Sequence, residues 1–136
     1  MGVIAIDSNI FIRALDDPGH LGEKSRIFLK NLTQTTDKAF ISVMVLEEFF
    51  VRVYKEKRDK EMTRIMNLLT LGEFISLVDI NTQIALLAAE IRADYNIKAP
   101  DAIHLASAIE SGAKTFITTD KRLPRKIGKL TIKVLD

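Results

Sequence analysis

"VIAIDSNIFIRAL", residues 3–15, sets the architecture. Its first four residues are apolar, mostly β-branched and without helical period, which reads as a short strand covered on both faces. Asp7 ends that run. Ser8 and Asn9, both N-cap residue types, then precede the apolar positions of a helix that "DDPGH" (16–20) interrupts. A strand that leads at once into a helix is the first half of a β-α-β unit, and such units build parallel sheets.

The same alternation continues to the end of the chain. A helix over residues 23–32 precedes "KAFIS" (38–42), a second strand. Val45, Phe49 and Val53 recur every four residues and predict an amphipathic helix over about 43–57. "KRDKE" separates it from a helix over about 61–71 carrying Ile65 and Leu69, and "FISLVDI" (74–80) is the next strand candidate. Asn81 or Thr82 caps an alanine- and leucine-rich helix reaching about Ala93. Pro100 favours a further helix start, and the pattern "DAIHLASAIESG" keeps helical period to Gly112. "TFIT" (115–118) and "TIKVL" (131–135) complete the strands. The fold class is therefore α/β, a three-layer sandwich with helices on both faces of a parallel sheet.

At 136 residues, one domain over 1–136 is expected. Hydrophobic content of 47% with 28% charged residues argues against disorder. The absence of cysteine removes disulfides, thiolate metal sites and cysteine nucleophiles. No apolar run approaches membrane-spanning length, and "MGVIAI" lacks a basic leader and is cut by Asp7, so a cytoplasmic protein without membrane association is expected. Ile6 stands where a myristoylation signal wants Ser or Thr. A net charge of +2 does not by itself mark a nucleic-acid binder. Its distribution is uneven: Lys114, Lys121, Arg122, Arg125, Lys126, Lys129 and Lys133 face only Asp120 and Asp136 in the last stretch of chain. That block is either a solvated face or a surface for phosphates.

Ligand sites of open parallel sheets form beyond the carboxyl ends of the strands. Asp7 follows the first strand there, and Asp120, in "FITTDKRL" (116–123), follows a later one. Asp101 opens the helix that leads into the strand before Asp120, and Glu48 lies on the helix after "KAFIS". Each has an ordinary structural reading: Asp7 as a helix cap, Asp101 as first-turn charge on the helix dipole, Asp120 as a turn residue, Glu48 as a solvated surface charge. Helix phase sets Glu48 on the border of the Val45–Phe49–Val53 stripe and its neighbour Glu47 about 100° further round, which favours Glu48. His104, one turn after Asp101 among Ile103, Leu105 and Ala106, reads as a packing or interface residue and not as a ligand.

Two carboxylates about 4 Å apart repel by about 4 kcal/mol at an effective dielectric near 20, so four together require neutralisation by protons or by a divalent cation. All-oxygen ligation suits Mg²⁺ or Mn²⁺. Such an ion orients and acidifies water and stabilises an in-line phosphoryl displacement, which points to phosphodiester hydrolysis.

The order "IDSNIFI", "ISVMVLEEFF", "APDAIHLASA", "FITTDKRL" resembles that of the PIN-domain ribonucleases, in particular the small VapC-type toxins of prokaryotic toxin–antitoxin pairs. The resemblance spans nearly the whole chain. It implies a mostly parallel five-stranded sheet and a Mg²⁺- or Mn²⁺-dependent endoribonuclease whose metal-binding and catalytic acids are Asp7, Glu48, Asp101 and Asp120. Glu48 follows Ser42 at the family's spacing, while Glu47 stands where the family often has a small residue. Ser8, Asn9 and Thr118 are implied as supporting residues. Beside the acids, Lys121 and Arg122 are expected to hold the RNA backbone. The implied partners are RNA, a small antitoxin and a second copy of the chain. The family also includes nucleases of RNA processing and decay, and degenerate members that bind RNA or a partner without cutting. A haloacid-dehalogenase-type phosphatase would want Asp two residues after Asp7, where Asn9 stands.

Overall fold

The computed structural model describes residues 2–35 and 37–136. The first half of the chain forms β1 (Val3–Ile6), α1 (Ser8–Asp16), α2 (His20–Leu32), β2 (Lys38–Ser42) and α3 (Met44–Lys55). A single 3₁₀ turn (Asp59–Glu61) leads into α4 (Met62–Thr70) and β3 (Ile75–Val78). The remainder is α5 (Thr82–Tyr95), α6 (Ala99–Glu110), β4 (Thr115–Thr118), β5 (Lys126–Ile127) and β6 (Leu130–Val134).

The strands lie in the order β3-β2-β1-β4-β6-β5. The first five run parallel, and β5 pairs antiparallel with β6. The sheet thus has six strands where five were expected. The extra one is too short to show any period in sequence; Gly128, at φ +57, turns the chain between Ile127 and its partner Leu130. Helix α2 also begins earlier than expected, at His20, with Gly19 as its N-cap.

The apolar runs of the central strands have a physical cause. Along β1, Ala5 packs with α5 and α6 while Ile6 packs with α1, α3 and α4; along β4, Phe116 and Ile117 divide in the same way. Alternate side chains therefore enter two separate cores, so no polar alternation is left to read. Fully burying a side chain such as Phe116 or Leu105 contributes about 1.5–3 kcal/mol.

This topology fixes where chemistry can occur. From β1 the chain moves outward through β2 and β3, then crosses back to lay β4 on the other flank of β1. The carboxyl ends of β1 and β4 meet at that reversal, where open sheets leave a crevice. Asp7 and Asp120 arrive there from the two strands.

Candidate active site

Asp7 is the N-cap of α1 and is only 3% exposed. Its Oδ1 accepts the Ser8 N–H at 2.8 Å, and its Oδ2 accepts from Thr118 Oγ1 at 2.8 Å and Asn9 Nδ2 at 3.1 Å. Thr118, fully buried at the end of β4, also accepts from Asn9 Nδ2 at 3.1 Å and from the Asp120 N–H at 3.0 Å. Its hydroxyl is thus saturated, with one bond donated and two accepted. Asn9 completes the tie by accepting the Thr119 N–H at 3.0 Å. The three supporting positions expected from sequence, Ser8, Asn9 and Thr118, all touch Asp7 or its immediate partner. A cap alone would not need the tertiary bond from Thr118 that, with the local one from Asn9, holds Oδ2 in one direction.

Glu48 and Glu47 part company on α3. Glu47 is exposed beside an apolar groove formed by Leu46, Phe50, Val51 and Tyr54. Glu48 turns inward, half-buried, and its Oε1 lies 2.5 Å from His104 Nε2. His104 is 2% exposed, and the same nitrogen is 4.0 Å from Asp7 Oδ1. This ring was expected to be packing. It does pack, but it also joins α6 to α3 across the end of the sheet. The signal was present in its spacing, one turn after Asp101 on the same helix.

The ionisation pattern follows from this crowding. Burial raises the pKa of Asp7, and the nearby Asp101 charge adds to it, against relief from His104 and the bonds from Thr118 and Ser8. Asp101, half-buried in the first turn of α6, is raised by burial and then by the charges of Asp120 and Glu48. Burial also pushes Glu48 upward, but the His104 hydrogen bond and charge, with help from Ser8, outweigh it and hold Glu48 below its ordinary value. Burial opposes a charged His104, yet Glu48, Asp7 and Asp101 together raise its pKa. Asp120 is lowered chiefly by its hydrogen bond from Arg122. Charge thus couples Asp101 to each of the other three acids.

Arg122 has a partner that its sequence position did not announce. Its backbone N–H and its Nε both donate to Asp120 Oδ1, at 2.9 and 3.1 Å, and Nη2 donates to Oδ2 at 3.2 Å. The guanidinium folds onto the acid two residues before it, because that carboxylate is the nearest partner for its planar fork. Lys121 is exposed beside it. Part of the basic block lies elsewhere: Lys114 and Lys129 line a cavity of about 810 Å³ at the amino ends of β4 and β6, away from the acids. Arg13 was missed by sequence reasoning. It donates to Thr119 Oγ1 at 3.0 Å and pairs with Asp17 at 2.9 Å, bracing the loop that carries Asp120.

Among the described residues, no three His, Asp or Glu side chains are gathered closely enough to hold an ion as they stand. Two of the four acids already have partners within the chain, Glu48 in His104 and Asp120 in Arg122. The donor set still fits a hard divalent ion: it is all oxygen, and mutual repulsion is felt at Asp7 and Asp101. An ion on Asp120 would have to displace Arg122, whose side chain is 80% exposed, so the exchange would cost little.

The chain matches the PIN domain family over residues 4–129. It belongs to that family. No curated protein matches the chain in sequence. Among solved structures, this PIN domain is similar to a toxin–antitoxin complex from Klebsiella pneumoniae, at 23% identity and TM-score 0.69 over 94% of this chain and 95% of that one. It is similar to VapBC2 from Rickettsia felis bound to a DNA fragment from their promoter, at 19% identity and TM-score 0.75 over 98% and 99%. VapBC-1 from nontypeable Haemophilus influenzae aligns at 19% identity and TM-score 0.70 over 97% of each chain. At these identities the likeness is one of fold. Among the described residues, no helix is long and apolar enough to cross a membrane.

Proposed function

We propose that this PIN domain is a Mg²⁺- or Mn²⁺-dependent endoribonuclease and the toxin of a toxin–antitoxin pair. The observation that carries the reading is Asp7: a nearly buried carboxylate, aimed by Thr118 and Asn9 and crowded by Asp101, is an expensive arrangement that a divalent cation would relieve. Asp7, Glu48, Asp101 and Asp120 would hold the ion. When bound there, it supplies water activation and charge stabilisation for phosphodiester hydrolysis. The chain's own part is to fix the acids. Thr118 sets the spacing between Asp7 and Asp120 by bonding both, and Asn9 locks β1 to β4 around them. Similarity to structures of toxin–antitoxin complexes supports the toxin role over RNA processing, with an antitoxin as partner; a homodimer is the assembly that the family resemblance implies. The test is cleavage of labelled single-stranded and stem-loop RNAs with Mg²⁺ or Mn²⁺, with EDTA as control. Metal-dependent cutting is expected, and a folded protein inert on every substrate argues for a binding module.

Lys121 and Arg122 then have different duties. Lys121 is a free phosphate contact, so Lys121→Gln should weaken RNA binding and reduce its salt slope by about one, with Mn²⁺ affinity unchanged. Arg122 competes with the ion for Asp120 until it turns to phosphate. Arg122→Gln should therefore bind Mn²⁺ more tightly, by up to about fivefold given the worth of an exposed ion pair, and RNA less tightly. Calorimetric titration of each variant separates the two; equal Mn²⁺ affinity in wild type and Arg122→Gln would remove the competition.

A further inference from the structure

The structure assigns His104 as the positioning residue that selects and aims Glu48, a role that rests on the metal reading above. Three observations carry it. His104 Nε2 lies 2.5 Å from Glu48 Oε1, the one hydrogen bond that this ring makes among the described residues. The ring is almost fully buried on α6, among residues that include Ile6, Ile41, Ser42 and Phe116, so its direction is set by packing and not by solvent. Its Nδ1 is buried without a partner, so the ring is held for what Nε2 does.

Hydrogen-bond inventory defines the protonated atom. A carboxylate accepts only, so the proton in the short contact sits on Nε2, and His104 donates in either ionisation state. That bond engages one oxygen of Glu48, and Ser8 adds to the hold on the carboxylate. Glu48 is the one site acid carried by α3, on the opposite face of the sheet from α6. A half-buried helical Glu has several rotamers; the bond from α6 removes that freedom and draws the carboxylate toward Asp7, only 4.0 Å from the same nitrogen. Exposed Glu47, with no such donor, is left out of the site. Outer-shell partners of this kind typically change metal affinity about 10- to 100-fold.

The test is calorimetric Mn²⁺ titration of the full chain as wild type, His104→Leu, His104→Gln, Glu48→Gln and the His104→Leu/Glu48→Gln pair, with the melting temperature of each measured in EDTA. Leu fills the space without a donor, whereas the Gln amide reaches the place of Nε2. The expected result is about 10- to 100-fold weaker binding for His104→Leu, recovery of most of that by His104→Gln, and a double variant no weaker than Glu48→Gln alone. Should His104→Leu fail to fold, His104→Asn, too short to reach Glu48, takes its place. Wild-type affinity in a folded His104→Leu protein, alongside weakened Glu48→Gln, overturns the role of His104 and leaves the metal site standing. A wild type that binds no Mn²⁺ overturns the metal reading and this role together.

Discussion

Asp7→Asn is expected to leave a folded PIN domain whose metal-dependent RNA cleavage is at least about 100-fold slower than wild type. The figure is the upper end of what outer-shell partners do, and Asp7 is proposed as a direct ligand. Asn keeps one oxygen for the Ser8 N–H, so α1 retains its cap, but it replaces an anionic oxygen by an amide N–H. That N–H would face Thr118 and Asn9, which already donate to this position. Glu47→Gln serves as the comparison, because an exposed carboxylate outside the site should change the rate by less than about twofold. Single-turnover cleavage of the same RNA by both variants decides the matter. Activity of Asp7→Asn within tenfold of wild type would show that Asp7 is a cap and little else.

The second large effect concerns stability. The folded pKa of Asp7 lies above its unfolded value, so its contribution is fully present below the ordinary carboxylate range and is lost as pH rises through the folded pKa. Asp101 shifts in the same direction. Glu48 and Asp120 shift the other way and contribute above their unfolded values, losing that contribution as pH falls. Because these partly cancel, the informative quantity is the difference between wild type and Asp7→Asn in EDTA. It should move in favour of the variant as pH rises from about 4 to 8, by about 1.4 kcal/mol for each unit by which folding raises Asp7. Saturating Mn²⁺ should reverse the order: at a hundredfold excess over its Kd the ion adds about 2.7 kcal/mol to wild type, or roughly 9 °C in melting temperature for a chain of this length. Urea denaturation across that pH range, with and without Mn²⁺, measures both. A pH-independent difference would mean that Asp7 carries no buried-charge penalty.

The parallel sheet was legible because its central strands feed two cores at once, leaving runs such as "VIAI" and "TFIT" that only a doubly covered strand explains. The location of Asp7 and Asp120 followed from the same fact, since strand ends are readable where apolar runs stop. Glu48 was separable from Glu47 by helix phase, and the structure turns the two to opposite environments. What sequence could not show were contacts set by packing between distant elements. The His104–Glu48 bond joins residues 56 apart on helices from opposite layers, and the one local hint, the place of His104 a turn after Asp101, does not name Glu48 as its partner. Arg13, which reaches Thr119 from α1, is the same kind of case. Arg122 shows the opposite limit: its partner Asp120 is only two residues away, yet the sequence does not say that the guanidinium folds back onto it. The two-residue β5 carries too few side chains for any pattern.

The most direct measurement is anomalous diffraction from crystals of the wild-type protein grown with Mn²⁺. A manganese peak among the carboxylates of Asp7, Glu48, Asp101 and Asp120, with the Arg122 guanidinium displaced from Asp120, is the predicted result. An ordered, solvent-accessible site that shows no peak at saturating Mn²⁺, with Arg122 still on Asp120, would contradict the claim that these acids form a metal centre.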